Sequence, residues 1–260
     1  MSRTRPTMPS GLRWKLYLAA LGLQGSWNPQ RMQNLGLLAI MVRWLEGRPR
    51  NTERDRLFCR RYYEFFNTNP YLANYLIGGL VRLEEESENE ASVSPDLIRT
   101  VRDSLGRSLA SIGDQLFWQG LRPTVVMATC LLGLYGRSWY VLAVFALFAA
   151  GQFMLRWRSL GRGYSLGLDV VDELADPRWH RAIAWTIRCG MVLTGAVAGC
   201  YFLLVTRLGG QGDGGLLLAG AAVGMGLPLI CRRRPPGEIL VLLGLVLAVV
   251  LAFALPAARS

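Results

Sequence analysis

Lysine and histidine are almost absent from this chain: Lys15 is the only lysine and His180 the only histidine in 260 residues. The five cysteines (Cys59, Cys130, Cys189, Cys200 and Cys231) are odd in number and never fall in a CxxC spacing. That pattern indicates neither a disulfide framework nor a zinc site, and most of the cysteines read as small apolar residues in helices. No GxxxxGK loop and no HExxH pair occurs, so the usual phosphate cradle and the usual zinc-hydrolase helix are missing. No segment repeats with a period of about 20 to 50 residues, which excludes a solenoid. Neither a catalytic centre nor a metal or cofactor site is indicated.

Charge is also scarce in the second half, while most acidic residues precede residue 115. Between Thr124 and Leu155 the only charge is Arg137, and Met191 to Thr206 has none. Gly214 to Cys231 and Ile239 to Leu255 are uncharged as well, and Arg232, Arg233, Arg234, Pro235 and Pro236 lie between them, the pattern of a helical hairpin with a basic turn. A soluble helical bundle is the competing reading. Uncharged runs near the roughly 20 residues that a bilayer core demands favour membrane insertion. The formal net charge of +11 comes almost wholly from arginine. Arg156, Arg158 and Arg162 follow one apolar stretch and the Arg232 to Arg234 triplet splits another, which points to anionic lipid and a positive-inside bias and away from nucleic acid. The same bias places the triplet in the cytoplasm and the C-terminus outside. Arg3, Arg5, Arg13 and Lys15 before Leu16 to Leu23 imitate a signal peptide, but that apolar run is at the short limit for one.

Helical spacing of apolar residues over 11–46, interrupted around Gly25 to Pro29, predicts two amphipathic helices joined by a turn, with Asn28 before Pro29 as the start of the second. Arg56 to Phe66 predicts another helix, broken by Asn67 to Pro70. Tyr71 to Leu83 is apolar but too short to span a bilayer, which suggests a re-entrant or half-length segment. Glu84 to Pro95 is acidic and reads as a solvated loop. Ile98 to Leu109 is helical, Gly113 and Asp114 mark a bend, Gly133 and Gly136 divide the following apolar region into two helices, and 156–182 is a polar connector. The fold class expected is all-α: a polytopic helical membrane protein with amphipathic and re-entrant helices in its N-terminal half. One domain spans 1–260, with 11–123 as the amphipathic part and 124–255 as transmembrane helices.

Three strings carry a resemblance. Gln24-Gly25-Ser26-Trp27-Asn28 precedes Arg31-Met32-Gln33-Asn34-Leu35-Gly36; Glu64-Phe65-Phe66-Asn67-Thr68-Asn69-Pro70-Tyr71 follows, with Glu84 and Glu85 further on; and Ile112-Gly113-Asp114, Leu116-Phe117-Trp118 and Leu121-Arg122-Pro123 come third. In order and spacing they resemble the SWN/RMQNLG, FFNTxPY and GDxLFWxxLRP motifs of the IID family of mannose, fructose and sorbose phosphotransferase transporters. With Gly163, Tyr164 and Gly167 as a fourth element, the resemblance covers roughly residues 20–172. Tyr62 stands where that family usually has a histidine, and Arg107 to Gln115 departs from its GPLAGxGDS string.

The resemblance implies a multi-pass subunit of the bacterial cytoplasmic membrane. With a IIC partner in a hetero-oligomer, it would bind and translocate a hexose while IIA and IIB relay phosphate. It implies no phosphorylation site in this subunit, and His180, between Trp179 and Arg181, reads as structural or interfacial. Sugar hydroxyls need directional amide and carboxylate partners, so the substrate-binding candidates are Asn67, Asn69, Asp114, Glu64, Gln24 and Asn28. Trp27, Arg31, Gln33, Asn34, Trp118 and Arg122 are the candidates for subunit contact or structure. The departures at Tyr62, Arg107 and Ser111 leave a second reading open, a diverged scaffold or regulatory membrane protein without transport.

Overall fold

Two helix starts are set locally by capping side chains. Asn51 Oδ1 accepts a hydrogen bond from the Arg54 amide at 3.1 Å, and Ser94 Oγ accepts one from the Leu97 amide at 3.2 Å with Pro95 in the first turn. The computed structural model describes residues 6–89, 93–134 and 138–208. In chain order the helices are α1 (Ser10–Leu21), α2 (Asn34–Leu45), α3 (Thr52–Tyr62), α4 (Ala73–Asn89), α5 (Pro95–Gly113), α6 (Arg122–Leu134), α7 (Ser138–Leu166), α8 (Val170–Leu174) and α9 (Pro177–Leu208). A π-helical segment, Asp114–Leu121, joins α5 to α6, and a short 3-10 turn, Gly167–Asp169, joins α7 to α8. No strand occurs among the described residues, so the all-helical expectation holds.

Two compact units divide the chain, Met1–Gly190 and Met191–Ser260. In the first, α4 is the central helix. Leu76, Ile77, Leu80, Val81 and Leu83 are buried in one hydrophobic core with residues of α1 to α3, α5 and α7. Its closest partner is α7, and glycines allow the approach. A Cβ at Gly163 would overlap the Tyr75 carbonyl, and one at Gly78 would overlap the Leu160 carbonyl. The second unit is described only for Met191 to Leu208, which lies within α9.

Four local expectations are corrected. Glu84 to Asn89 is not a solvated loop but the last turns of α4, because arginines from three directions neutralise its carboxylates: Arg61 meets Glu84 at 2.9 Å, Arg48 meets Glu85 at 3.1 Å and Arg82 meets Glu86 at 2.7 Å. The segment 156–182 is mostly helix, since Gly161 and Gly163 are packing positions within α7. The second helix begins at Asn34, not near Asn28. No helix end falls at Asp114: the chain continues through wide π turns directly before Pro123, whose missing amide hydrogen and bulky ring displace the hydrogen bonding of the preceding turn. The expected division of 124–155 is present as α6 and α7.

One helical run among the described residues, Trp139–Leu174, is long and apolar enough to cross a membrane by length and composition. Gly214 to Cys231, Arg232 to Arg234 and Ile239 to Leu255 lie outside the described residues.

Candidate functional site

The motif strings meet in one polar frame. Gln33, at the start of α2, brackets the backbone of Thr68: its Nε2 donates to the Thr68 carbonyl at 2.9 Å and its Oε1 accepts from the Thr68 amide at 3.1 Å. The Gln33 amide donates to the Phe66 carbonyl at 2.8 Å. Asn34 Nδ2 donates to the Tyr63 carbonyl at 2.7 Å, and Arg31 donates to the same oxygen at 3.2 Å while its guanidinium lies over the Tyr63 ring. Asn28 accepts from the Arg31 amide and donates to Asn34 Oδ1 at 3.0 Å, closing a turn in which Met32 has a φ of 56°. Left-handed backbone at a residue with a side chain is uncommon and is held here by bonds on both sides. Gln33, Asn34, Thr68 and Asn69 are all buried. Left unpaired, the side-chain amides of Gln33, Asn34 and Asn69 would each cost roughly 1 to 3 kcal/mol, so their pairing permits their burial, whereas the Thr68 hydroxyl is buried with no partner among the described residues.

The third string joins through Asn69. Its Nδ2 donates to Asp114 Oδ1 at 2.9 Å, and its Oδ1 accepts from the Tyr71 amide at 3.0 Å in an Asx turn that leads into α4. Gly113 lies flat against the Asn69 side chain, where a Cβ would collide with it. Asp114 is itself exposed, with Oδ1 used by Asn69.

Beside this frame is a cavity of about 250 Å³ lined by Glu64, Phe65, Asn67, Arg102, Asp103 and Arg107. Arg102 is almost fully buried and holds the wall together: it donates to Glu64 Oε2 at 2.9 Å, to Asp103 Oδ1 at 2.8 Å and to the Arg61 carbonyl. Arg99 takes the other Glu64 oxygen at 2.9 Å. Asn67 and Phe65 are exposed at its mouth. Carboxylate, amide, guanidinium and an open aromatic face are the groups that grip a polyhydroxylated ring. Arg102 and Asp103 were not singled out in the sequence; their i, i+1 position in an ordinary amphipathic helix carries no signal, and only the burial of Arg102 reveals them. Arg107, a departure from the family string, is on the cavity wall.

The remaining predicted residues are dispersed. Gln24 and Trp27 are exposed on the turn after α1. Trp118 and Arg122 stack on each other at 4.9 Å, and Trp118 also contacts Tyr71. Gly163-Tyr164-Ser165-Leu166-Gly167 has the spacing of a GxSxG nucleophile elbow, but it lies in the end of α7 rather than at a strand-to-helix turn, and Ser165 Oγ bonds back to the Arg162 carbonyl at 2.8 Å. His180 is exposed near the start of α9.

Residues 10–212 match the profile of the PTS system mannose/fructose/sorbose family IID component. The mannose-specific EIID component of Escherichia coli K12 is 31% identical over 183 residues, which are 70% of this chain and 65% of that protein. The fructose permease IID component of Bacillus subtilis 168 is 26% identical over 184 residues, 71% of this chain and 67% of its own length. The chain thus spans just under two thirds of the mannose-specific relative. Among solved structures, a membrane protein at 25% identity superposes with a TM-score of 0.68 over 95% of this chain and 98% of the other. The mannose transporter ManYZ, solved with microcin E492, shares the fold at a TM-score of 0.59 and 24% identity, over 94% of this chain and 97% of the other. With a profile match over most of its length and the motif strings in order, this chain is a membrane protein belonging to the mannose/fructose/sorbose family of phosphotransferase IID components.

Proposed function

We propose that this chain is the IID subunit of a mannose-family permease in the bacterial cytoplasmic membrane, crossing it several times. In this reading it pairs with a IIC subunit to bind and move a hexose that IIB, charged by IIA, then phosphorylates. The observation that carries the reading is the family match over residues 10–212. The uncharged runs of the C-terminal half have the composition and approximate length that further membrane spans require. No phosphorylated residue is required of this subunit.

The frame and the cavity divide the site candidates between two roles. Asn28, Arg31, Gln33, Asn34 and Asn69 spend their hydrogen bonds on one another, on backbone and, for Asn69, on the Asp114 carboxylate, so their part is to hold the surface in shape. Asn67 and Glu64, on the cavity wall, are placed to meet a sugar hydroxyl, Glu64 only through the carboxylate lone pairs that Arg99 and Arg102 leave, with Asp114 offering a carboxylate oxygen on the neighbouring surface. Gln24 and Trp27 lie on exposed chain suited to contact with a second subunit. The departure at Tyr62 is internal and leaves this surface intact.

Co-expression with a mannose-family IIC subunit tests the proposal. The two chains should copurify, and the pair should retain labelled hexose that neither retains alone. Asn67→Ala and Glu64→Gln should lower hexose retention about 10-fold, the worth of one charge-assisted hydrogen bond, with copurification unchanged. Copurification without hexose retention by the unmutated pair would leave the scaffold reading in place of transport.

A further inference from the structure

The apolar face of α7 is bracketed by aromatic pairs. Trp139 and Tyr140 stack at its start, and Trp157 meets Trp14 at 4.3 Å and Tyr17 at 5.2 Å near its end. From Trp139 to Trp157 a helix rises about 27 Å at roughly 1.5 Å per residue, close to the thickness of a bilayer's hydrocarbon core. Leu142, Phe145, Leu147, Phe153 and Met154 are exposed between them. Tryptophan and tyrosine concentrate at the two membrane interfaces, so this spacing puts Trp157 and Trp14 at one headgroup level.

One turn beyond Trp157 a cavity of about 470 Å³ opens, with Arg13, Arg158, Arg162 and Glu173 among its walls. Its charges do not cancel. Glu173 is taken by Arg162, whose Nε and Nη2 reach Oε2 at 2.8 and 2.7 Å. Arg13 has no carboxylate partner among the described residues: it donates to the Trp157 carbonyl at 2.7 Å and lies over the Trp157 ring at 4.2 Å, with its Nε buried and unbonded. Its guanidinium rests against Gly161, where a Cβ would strike it. Arg158 is exposed and has no ion pair among the described residues. Three guanidinium groups thus face one carboxylate, at headgroup depth, beside exposed Trp14.

We propose that this cavity binds the phosphate of an anionic phospholipid headgroup. Guanidinium forks match phosphate oxygens in pairs, and Arg13 and Arg158 are the two that retain unused donors. The Trp14 and Trp157 rings give the adjoining glycerol and upper acyl chain an apolar wall, which a free phosphate would not use. By the positive-inside bias this end of α7 faces the cytoplasm, where anionic headgroups face basic protein surface.

The test uses the purified full chain in neutral detergent, titrated with phosphatidylglycerol, phosphatidylcholine or inorganic phosphate and read by native mass spectrometry and thermal shift. Phosphatidylglycerol should be retained in preference to phosphatidylcholine, and Arg158→Gln should weaken that retention about five-fold, the effect of one arginine near an anionic surface. Arg13→Gln should do the same, but Arg13 is packed, so exposed Arg158 is the variant that separates binding from folding. Arg60→Gln removes the same charge from α3 and should leave retention unchanged. Equal losses in Arg60→Gln and Arg158→Gln would overturn the site in favour of diffuse attraction. A thermal shift reproduced by inorganic phosphate alone would overturn the lipid as its source.

Discussion

The Tyr62 hydroxyl donates a 2.6 Å hydrogen bond to Glu84 Oε1, with both side chains buried between α3 and α4. Arg61 reaches the other carboxylate oxygen at 2.9 Å. Burial, reinforced by the facing carboxylate, pushes the Tyr62 hydroxyl well above its ordinary range, so it remains a protonated donor. The residue that stands in place of the family histidine therefore serves a buried acid as a hydrogen-bond donor that keeps its own proton.

Tyr62→Phe removes that donor and leaves Glu84 under-bonded in the core. The variant should lose about 1 to 3 kcal/mol, read by thermal unfolding in detergent. Wild-type stability in the variant would show that the bond is not formed in solution.

Glu84 gives the chain a pH dependence with a defined sign. Burial pushes its carboxyl above the ordinary value of 4.5, outweighing the opposing pull of Arg61 and Tyr62. A raised folded value means that the folded state holds the proton more tightly. The associated stability is complete below about pH 4.5 and is lost as pH rises through the raised value. Glu84→Gln cannot titrate, so unfolding of wild type and variant across this window should show wild type losing ground as pH rises. The opposite slope would mean that the Arg61 ion pair dominates over burial.

Gly163→Ala places a methyl group against the Tyr75 carbonyl at the contact of α4 and α7, so that one backbone must shift to admit it. It should cost about 1 to 3 kcal/mol or more. Gly133→Ala in α6 meets nothing within 4 Å and should be neutral or gain up to about 1 kcal/mol from helix propensity. Comparable melting temperatures for the two variants would contradict the close helix crossing.

Gln33→Glu tests the frame, because only an amide both donates to and accepts from Thr68. The carboxylate loses the donor and buries a charge beside a carbonyl oxygen. A loss above about 2 kcal/mol is expected at neutral pH, with partial recovery in acid, where a protonated Glu regains a donor. A loss that does not change with pH would assign the cost to packing alone.

Asn69→Ala removes both the Asx turn before α4 and the donor to Asp114, and should cost about 1 to 3 kcal/mol. Asp114→Asn keeps an acceptor for Asn69 and should cost under about 1 kcal/mol. If the Asp114 variant is the more damaging of the two in unfolding experiments, the charge itself and not the hydrogen bond is what the fold uses.

Helix content, the apolar face of α7 and the family strings were determined by the sequence itself, because helical period, uncharged length and motif order are properties of neighbouring residues. Even the division between α6 and α7 followed from Gly133 and Gly136. What only the tertiary structure decided is which polar groups meet: Gln33 with Thr68 across 35 positions, Asn69 with Asp114 across 45, and Tyr62 with Glu84 across 22. The run Glu84 to Asn89 shows why. Its composition is that of a solvated loop, and it becomes helix because Arg48, Arg61 and Arg82 arrive from elsewhere in the chain or from the same helix to neutralise it. The candidate cavity follows the same logic: Glu64 and Asn67 stood out in their string, but Arg102 was invisible until the fold buried it. A buried polar side chain is stable only if its partner is present, and the partner's position is fixed by packing, not by its neighbours in the sequence.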